Sequence, residues 1–342
     1  MLGPIRPAHQ FNTESLKRYL HQTLNQPVDE LKIQQFDAGQ SNPTFLVEFD
    51  ESSYVLRKKP PGRLLPKAHM VEREYRIMSA LKTSDVPVPD MILLCEDDNV
   101  IGTPFFLMEF VKGRVFWDAR FPKQSPEERR ALFDAMNQTL ANLHRVNPTD
   151  VGLGDYGRPG NYFERQISIW SRQYKASETE TIEAMNALID WLPKHIPDDQ
   201  SVSVVHGDYR LDNMIFHPTE PRVIALLDWE LSTIGHPLAD LAYTCMSFMM
   251  DTPYHPSIQS ATTPDSGHPT MQEYIQQYCL RTGRDGIPNW NFYMAFSIFR
   301  SAAIVQGVYK RGLQGNASSS KALELGYLVR KASEAAWALV TR

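Results

Sequence analysis

The run VVHGDYRLDNMIFHPTEPRVIALLDWE, residues 204–230, constrains this chain more than any other stretch. Three short apolar, β-like runs stand close together there, at 202–205, 213–216 and 222–227. Polar groups sit at their mouths. His206, Gly207 and Asp208 follow the first run, Asn213 comes five residues after Asp208, and Asp228 comes fifteen after Asn213. Short buried strands hold a backbone rigid. The turns between them then project the two carboxylates and the carboxamide to one side.

The flanking sequence supplies the setting. Residues 13–25 read as an amphipathic helix, with Thr13 as N-cap and Leu16, Tyr19, Leu20 and Leu24 on one stripe. Runs 44–49 and 54–57 around an acidic-serine turn predict a hairpin. Residues 69–82 carry Met70, Tyr75, Met78 and Leu81 at helical spacing, and the VPVPD segment at 86–90 breaks the chain. Two further strands are expected at 91–95 and 105–111. Beyond Gly113 the pattern turns helical, over 126–145, 162–175 and 178–192, and again over 238–250, 271–282, 290–311 and 318–340. The expectation is an α+β fold of two lobes: a small β-rich lobe, 1–111, and a larger mainly helical lobe, 112–342. The Pro-rich segment 251–269 reads as a loop able to act as a lid.

Phosphoryl transfer from ATP asks little covalent chemistry of a protein. It asks for a carboxylate that orients the attacking hydroxyl, and for oxygen ligands to the magnesium on the phosphates. Magnesium takes carboxylate and amide oxygens and keeps several waters. Asp208, Asn213 and Asp228 offer that donor set. The spacing from Asp208 to Asn213 equals that of the protein-kinase catalytic loop, with His-Gly-Asp in place of His-Arg-Asp and Asp-Trp-Glu in place of Asp-Phe-Gly.

HGDYRLDNMIF followed by IALLDWE resembles the aminoglycoside phosphotransferase and choline-kinase-like family. GQSNPTFLVEF, YVLRKKPPG, FFLMEFVKG and IGHPLADLAY are similar to further landmarks of that family, in the same order. A closer likeness links YVLRKKPPGRLLPKAHMVEREYRI, YFERQISIWSRQY and AMNALIDWLPKHIP to the kinase-like domain at the N-terminus of some acyl-CoA dehydrogenases. The resemblance implies a two-lobed, protein-kinase-like fold with ATP and magnesium as cofactors, bound between the lobes. It implies that Asp208 is the catalytic base, that Asn213 and Asp228 hold the metal, and that Asp240 braces the catalytic loop. It implies that the turn with Gly39, Ser41 and Asn42 covers the phosphates, and that 108–111, with Glu109 and Val111, meets adenine. Arg57 stands at the strand position where the family uses lysine, with Glu74 as its helix partner. Lys58 would point to the opposite face of that strand. The acceptor implied is a hydroxyl on a small molecule. A hydroxyacyl chain, as a coenzyme A thioester or a related hydroxy acid, is favoured over an aminoglycoside.

Other residues carry plainer readings. His206 is expected to hydrogen-bond backbone, and His144 to cap the end of its helix. Glu230 reads equally as a third acid near the metal or as a solvated cap. Phe163, Ile167, Trp170 and Tyr174 form a stripe that suits core packing or a wall of the acceptor pocket. Arg57, Lys58, Lys59, Arg63 and Lys67 form either a solvated loop or an anchor for acceptor phosphates. Arg300, inside MAFSIFRSAAIV, is expected to pair with an acid or to bind an acidic substrate. The net charge of −5 leaves no footprint for nucleic acid or an anionic membrane, and the apolar runs are too short or too interrupted to span one. Cys95, Cys245 and Cys279 fit a reducing cytoplasm and no disulfide framework. Two other classes remain: a nucleotide-binding regulatory pseudo-enzyme, for which Arg57 leaves room, and a protein kinase. The lack of Asp-Phe-Gly and Ala-Pro-Glu segments speaks against the latter.

Overall fold

The computed structural model describes residues 2–37, 42–62, 69–158, 160–251, 257–315 and 320–341. The chain divides into two compact units, Met1–Gly113 with Ile224–Leu231, and Arg114–Val223 with Ser232–Arg342. The segment Ile224–Leu231, which carries Asp228, therefore belongs to the first unit, although the sequence pattern grouped it with the helical part.

In the first unit, strands β1 (Leu2–Gly3), β2 (Lys32–Phe36), β3 (Thr44–Phe49), β4 (Ser52–Lys58), β5 (Met91–Cys95) and β6 (Phe105–Glu109) form one sheet. Its order is β1-β2-β3-β4-β6-β5, with every pairing antiparallel. The β3–β4 hairpin turns on Asp50 and Glu51, both left-handed (φ 50° and 60°), as a two-residue turn with matching twist requires. Helix α1 (Thr13–Leu24) is capped by Asn12, whose side chain accepts from Ser15 N at 2.9 Å, one residue before the expected cap. Its Leu16 and Leu20 are sealed against Phe45, Val47, Leu56 and Leu107 of the sheet, each such burial being worth about 1.5–3 kcal/mol. Helix α2 (Val71–Leu81) covers the other face, and a short helix α3 (Asp98–Ile101) precedes β6. Strand alternation decides the fate of two cations on β4. Lys58 falls on the α1 side, its Nζ 5.5 Å from the centroid of the Phe11 ring, while Arg57 faces α2.

The second unit is mainly helical. Helix α4 (Pro126–Arg145) opens with proline at its first turn and Ser125 accepting from Glu128 N. Then come α5 (Tyr162–Ser177), α6 (Glu183–Trp191), β7 (Ser203–Val205), β8 (Met214–Phe216), β9 (Val223–Leu226, largely in the first unit) and β10 (Thr233–Gly235). They are followed by α7 (Leu238–Cys245), α8 (Met271–Thr282), α9 (Trp290–Leu313) and α10 (Gly326–Thr341). Strand β7 pairs antiparallel with β10, an element too short to show in the sequence. Gly235 ends β10 where a Cβ would stand 2.6 Å from the Tyr162 ring, so α5 lies directly against that strand. Helix α9 packs on α5, α7 and α10 and buries most of its first half. The last helix starts at Gly326, later than expected, because Ser320–Leu325 form a 3-10 turn. Within the 251–269 loop, Gln259–Ala261 form another such turn, and 252–256 lie outside the described residues. No helix among the described residues is long and apolar enough to cross a membrane.

Candidate active site

The first unit contributes a buried charge cluster. Strand β4 sets Arg57 opposite Thr44 and Phe106 of the neighbouring strands. Its Nε lies 3.1 Å from Glu74 Oε2 as an ion pair without directed hydrogen-bond geometry, and its Nη2 donates to Asp228 Oδ1 at 2.6 Å. Glu230 Oε2 stands 3.7 Å from the same Nη2, so Glu230 is a third acid of the cluster and no solvated cap. Asp228 reaches this place through a left-handed backbone (φ 65°). The next residue, Trp229, is fully buried and pins the turn by donating from Nε1 to Leu226 O at 2.9 Å. On the far side, Glu74 Oε1 accepts from Asn42 Nδ2 at 2.8 Å, and Asn42 Oδ1 lies 3.0 Å from His69 Nδ1.

Charge and burial compete here. Burial alone would lower the Arg57 guanidinium, but Glu74, Asp228 and Glu230 outweigh it and hold Arg57 firmly charged. Burial pushes the Glu74 carboxyl up to about 7, against the pull of Arg57.

Of the other expected nucleotide contacts, Gly39 and Ser41 lie outside the described residues. Asn42 is fully buried and braces Glu74. Glu109 is exposed at the end of β6, where its amide donates to Asp90 O and its Oε2 accepts from Asp90 N. Val111 is half-buried in the segment after β6. The basic cluster is not a free patch: Arg57 serves the acids, Lys58 sits under Phe11, and Lys59 bonds Glu72 at 3.0 Å. Arg63 and Lys67 lie outside the described residues.

The second unit holds the loop after β7. Gly207 needs φ 82°, which glycine alone adopts without strain. Asp240, buried in the first turn of α7, accepts from His206 N at 2.6 Å and Gly207 N at 2.9 Å. Two successive amides bound by one carboxylate fix the loop's entry. Burial pushes Asp240 upward, but His144, His206 and the Gly207 amide outweigh it and hold it below the usual carboxylate value. His144 is buried rather than capping: its Nε2 lies 3.5 Å from Asp240 and its Nδ1 2.7 Å from Tyr278 Oη. His206 accepts from Asp208 N at Nδ1 (3.2 Å), the backbone role expected of it.

Asp208 is held by both oxygens. Tyr243 Oη donates to Oδ1 at 2.6 Å and Asn213 Nδ2 to Oδ2 at 3.1 Å, with a further bond from Nδ2 to Asp208 O at 2.9 Å. Thus Asp208 and Asn213 meet as their spacing predicts, while Tyr243 escaped sequence reasoning. Only its place one turn after Asp240 on α7 could have flagged it. Burial and the Asp208 charge push the Tyr243 phenol well up, so it stays a donor. Arg300 finds no acid among the described residues; its Nη2 donates to Gly207 O at 2.7 Å.

The donor chemistry suits magnesium. The Asn213 amide nitrogen is committed to Asp208, which leaves the carbonyl oxygen Oδ1 as the group it can offer a hard cation. Asp228 is about a third exposed, and its Oδ2 makes no hydrogen bond among the described residues. Among the described residues no cluster of three or more His, Cys, Asp or Glu is built to hold a metal. Magnesium does not require one.

A model described as the phosphotransferase enzyme family matches residues 32–284. The chain is 46% identical over 343 residues to mouse acyl-CoA dehydrogenase family member 10, covering 99% of this chain and 32% of that protein. It is likewise 46% identical over 339 residues to human acyl-CoA dehydrogenase family member 11, covering 97% and 44%. The chain thus spans a third to under a half of these relatives. Among solved structures, a Ralstonia eutropha protein provisionally assigned as an aminoglycoside phosphotransferase shares 48% identity, with a TM-score of 0.88 over 97% of this chain and 99% of that one. Spectinomycin phosphotransferase APH(9)-Ia, in complex with ADP and spectinomycin, shares 13% identity and a TM-score of 0.62, over 98% and 100%. At that identity the likeness is one of fold: a kinase-like α+β architecture.

Proposed function

The chain belongs to the phosphotransferase enzyme family, and from that premise we propose that it transfers the γ-phosphoryl group of ATP to a hydroxyl of a small molecule. The observation that carries the reading is Asp208. A carboxylate gripped at both oxygens, on a loop clamped through two amides by Asp240, is a base whose aim is fixed before substrate arrives. In this reading the acceptor oxygen forms the new bond to phosphorus as the bond from γ-phosphorus to the ADP oxygen breaks. The hydroxyl proton passes to Asp208, and ADP leaves.

The first unit would bind nucleotide, with Arg57 and Glu74 positioning the phosphates, Gly39, Ser41 and Asn42 over them, and Glu109 to Val111 beside adenine. The second would supply the base and the acceptor site. Asn213 and Asp228 would hold magnesium, which when bound supplies positive charge against the phosphate oxygens. The chain's own residues orient and deprotonate the acceptor. A hydroxyacyl acceptor, as a coenzyme A thioester or a hydroxy acid, is the finer reading. It is supported by 46% identity to proteins named for acyl-CoA dehydrogenation. The committed state of Arg57, Lys58 and Lys59 lends no support to the coenzyme A phosphates as the anchored group.

The test is phosphate transfer from labelled ATP with magnesium to hydroxy acids, hydroxyacyl-CoAs, aminoglycosides and a protein mixture. Asp208→Asn is run beside the native chain. Label should reach a small alcohol, and the variant should lose about 10²–10⁴-fold in turnover. Label on protein alone would reject a small-molecule acceptor. Nucleotide binding with no transfer in any pool would make this a regulatory pseudo-enzyme.

A further inference from the structure

Arg300 is a cation buried in the middle of α9, 6% exposed, and it meets no acid among the described residues. Its Nη2 donates to Gly207 O at 2.7 Å, and its Nε has no hydrogen-bond partner among the described residues. Its guanidinium carbon lies 5.6 Å from the centroid of the Trp170 ring and 5.7 Å from that of Tyr243. A charge is expensive to bury, and aromatic faces offset only part of that cost. The carbonyl it holds is the one next to the proposed base.

Gly207 O and Asp208 N belong to one peptide group, the link from Gly207 to Asp208. Arg300 holds its oxygen end, and His206 Nδ1 accepts from its nitrogen end at 3.2 Å. The peptide before it is held separately, with Gly207 N donating to Asp240 Oδ1 at 2.9 Å. The pivot between the two is the Gly207 Cα, at φ 82°, where no Cβ resists rotation. With its oxygen released, the 207–208 peptide could turn over at little steric cost, through ψ of Gly207 and φ of Asp208. Such a turn re-aims the Asp208 side chain. The His206 bond is the longer of the two holds, while the bond from the guanidinium is shorter and charge-assisted. Gly207 is buried, so losing the donor also orphans its carbonyl, which adds a drive for the peptide to turn. The same guanidinium lies against the Tyr243 ring, whose phenol donates to Asp208 Oδ1 at 2.6 Å. Arg300 therefore touches both supports of the base: the peptide that carries it and the tyrosine that grips its carboxylate.

We infer that Arg300 is a positioning residue, a lock on the Gly207–Asp208 peptide that keeps the base from swinging out of line. The lock stands on these contacts alone; its effect on turnover rests on the phosphoryl transfer proposed above.

The test compares the full native chain with Arg300→Met and Arg300→Lys. Hydrogen exchange is read by mass spectrometry over the peptide 204–213, and turnover by steady-state kinetics with ATP and magnesium. Arg300→Met keeps an apolar stem and removes the donor. It should speed exchange in 204–213 by about tenfold or more, while α4 and α8 keep their native protection. Its kcat should fall by about 10–100-fold with KM for ATP unchanged. Lysine returns a charged donor to Gly207 O and should recover most of both losses. Should Arg300→Met fail to fold, Arg300→Gln, a neutral and shorter side chain, takes its place with the same expectations. Native exchange in 204–213 for the neutral variant would overturn the lock. So would exchange that rises alike across the second unit, the mark of lost packing, or a lysine variant no better than the neutral one. If the native chain phosphorylates nothing, the exchange results still decide the lock, and only the phosphotransferase reading falls.

Discussion

Removing Arg57 should destabilise the first unit. Its side chain is 11% exposed and Glu74 is 1% exposed, so Arg57→Ala leaves a sealed carboxylate with Asn42 as its one remaining partner among the described residues. It also leaves Asp228 and Glu230 near one another without the shared cation. Breaking such a pair from one side costs roughly 3–5 kcal/mol. With a urea slope of roughly 1–3 kcal/mol per molar, the midpoint should fall by about 1–5 M. The loss should depend on pH in a set direction. Glu74 already sits near 7, above its unfolded value of 4.5, so its contribution is full below 4.5 and is lost as pH rises through 7. Without Arg57 its folded value climbs further. The gap between variant and native chain should then be smallest near pH 5 and widen toward pH 9. Arg57→Lys keeps the charge but not the two-ended reach from Glu74 to Asp228, and should restore about half of the loss. Adding Glu74→Gln to Arg57→Ala should also restore part, because the stranded charge is gone. Urea unfolding followed by circular dichroism at pH 5, 7 and 9 reads all four proteins. An Arg57→Ala midpoint equal to native at every pH would refute the claim that this cluster is held by its cation.

Three further outcomes are expected. Asp240→Ala strands the buried amides of His206 and Gly207 and should cost about 2–6 kcal/mol in urea unfolding, since each orphaned donor costs about 1–3 kcal/mol. Burial depresses His236 to about 4, despite Asp199 3.4 Å away, so stability should fall as pH drops from 6.5 toward 4. His236→Asn should flatten that part of the thermal melting profile; an unchanged slope would count against the assignment. Burial pushes Asp199 upward, but Ser201, His236 and Arg284 hold it near 2, so its own contribution is present above 3.8 and is lost only between 3.8 and 2. Gly267→Ala should lower the melting temperature clearly, because φ is 79° and the new Cβ would collide with the Pro126 carbonyl. A variant that melts with the native chain would show that this loop can move away.

The elements legible in the sequence were those with a long period. Helix α4 was readable to the residue because Pro126 marks its start and an apolar stripe runs along it. The β3–β4 hairpin was readable because alternation and an acidic turn agree. Strands β2 and β10 were missed: KIQQF is too polar, and TIG too brief, to carry a periodic signal. At the site, Asp208 and Asn213 were legible because they are local neighbours, five residues apart, on one loop. Tyr243 was not, since its bond to Asp208 spans 35 residues and depends on how α7 is turned. Arg300 was visible as an anomaly, a charge in an apolar helix. That its partner is a carbonyl, Gly207 O, depends on folding across 93 residues. His144 was misread for the same reason, because its partners Asp240 and Tyr278 lie on helices that come much later in the chain.

The left-handed turn at Asp228 narrows what evolution can do there without wrecking the architecture. Asparagine and glycine tolerate that torsion, whereas branched side chains resist it. A lineage abandoning catalysis would therefore tend to drift first toward those two letters, keeping its shape while shedding its chemistry. Surveying that codon among cousins is a cheap way to sort working copies from silent ones.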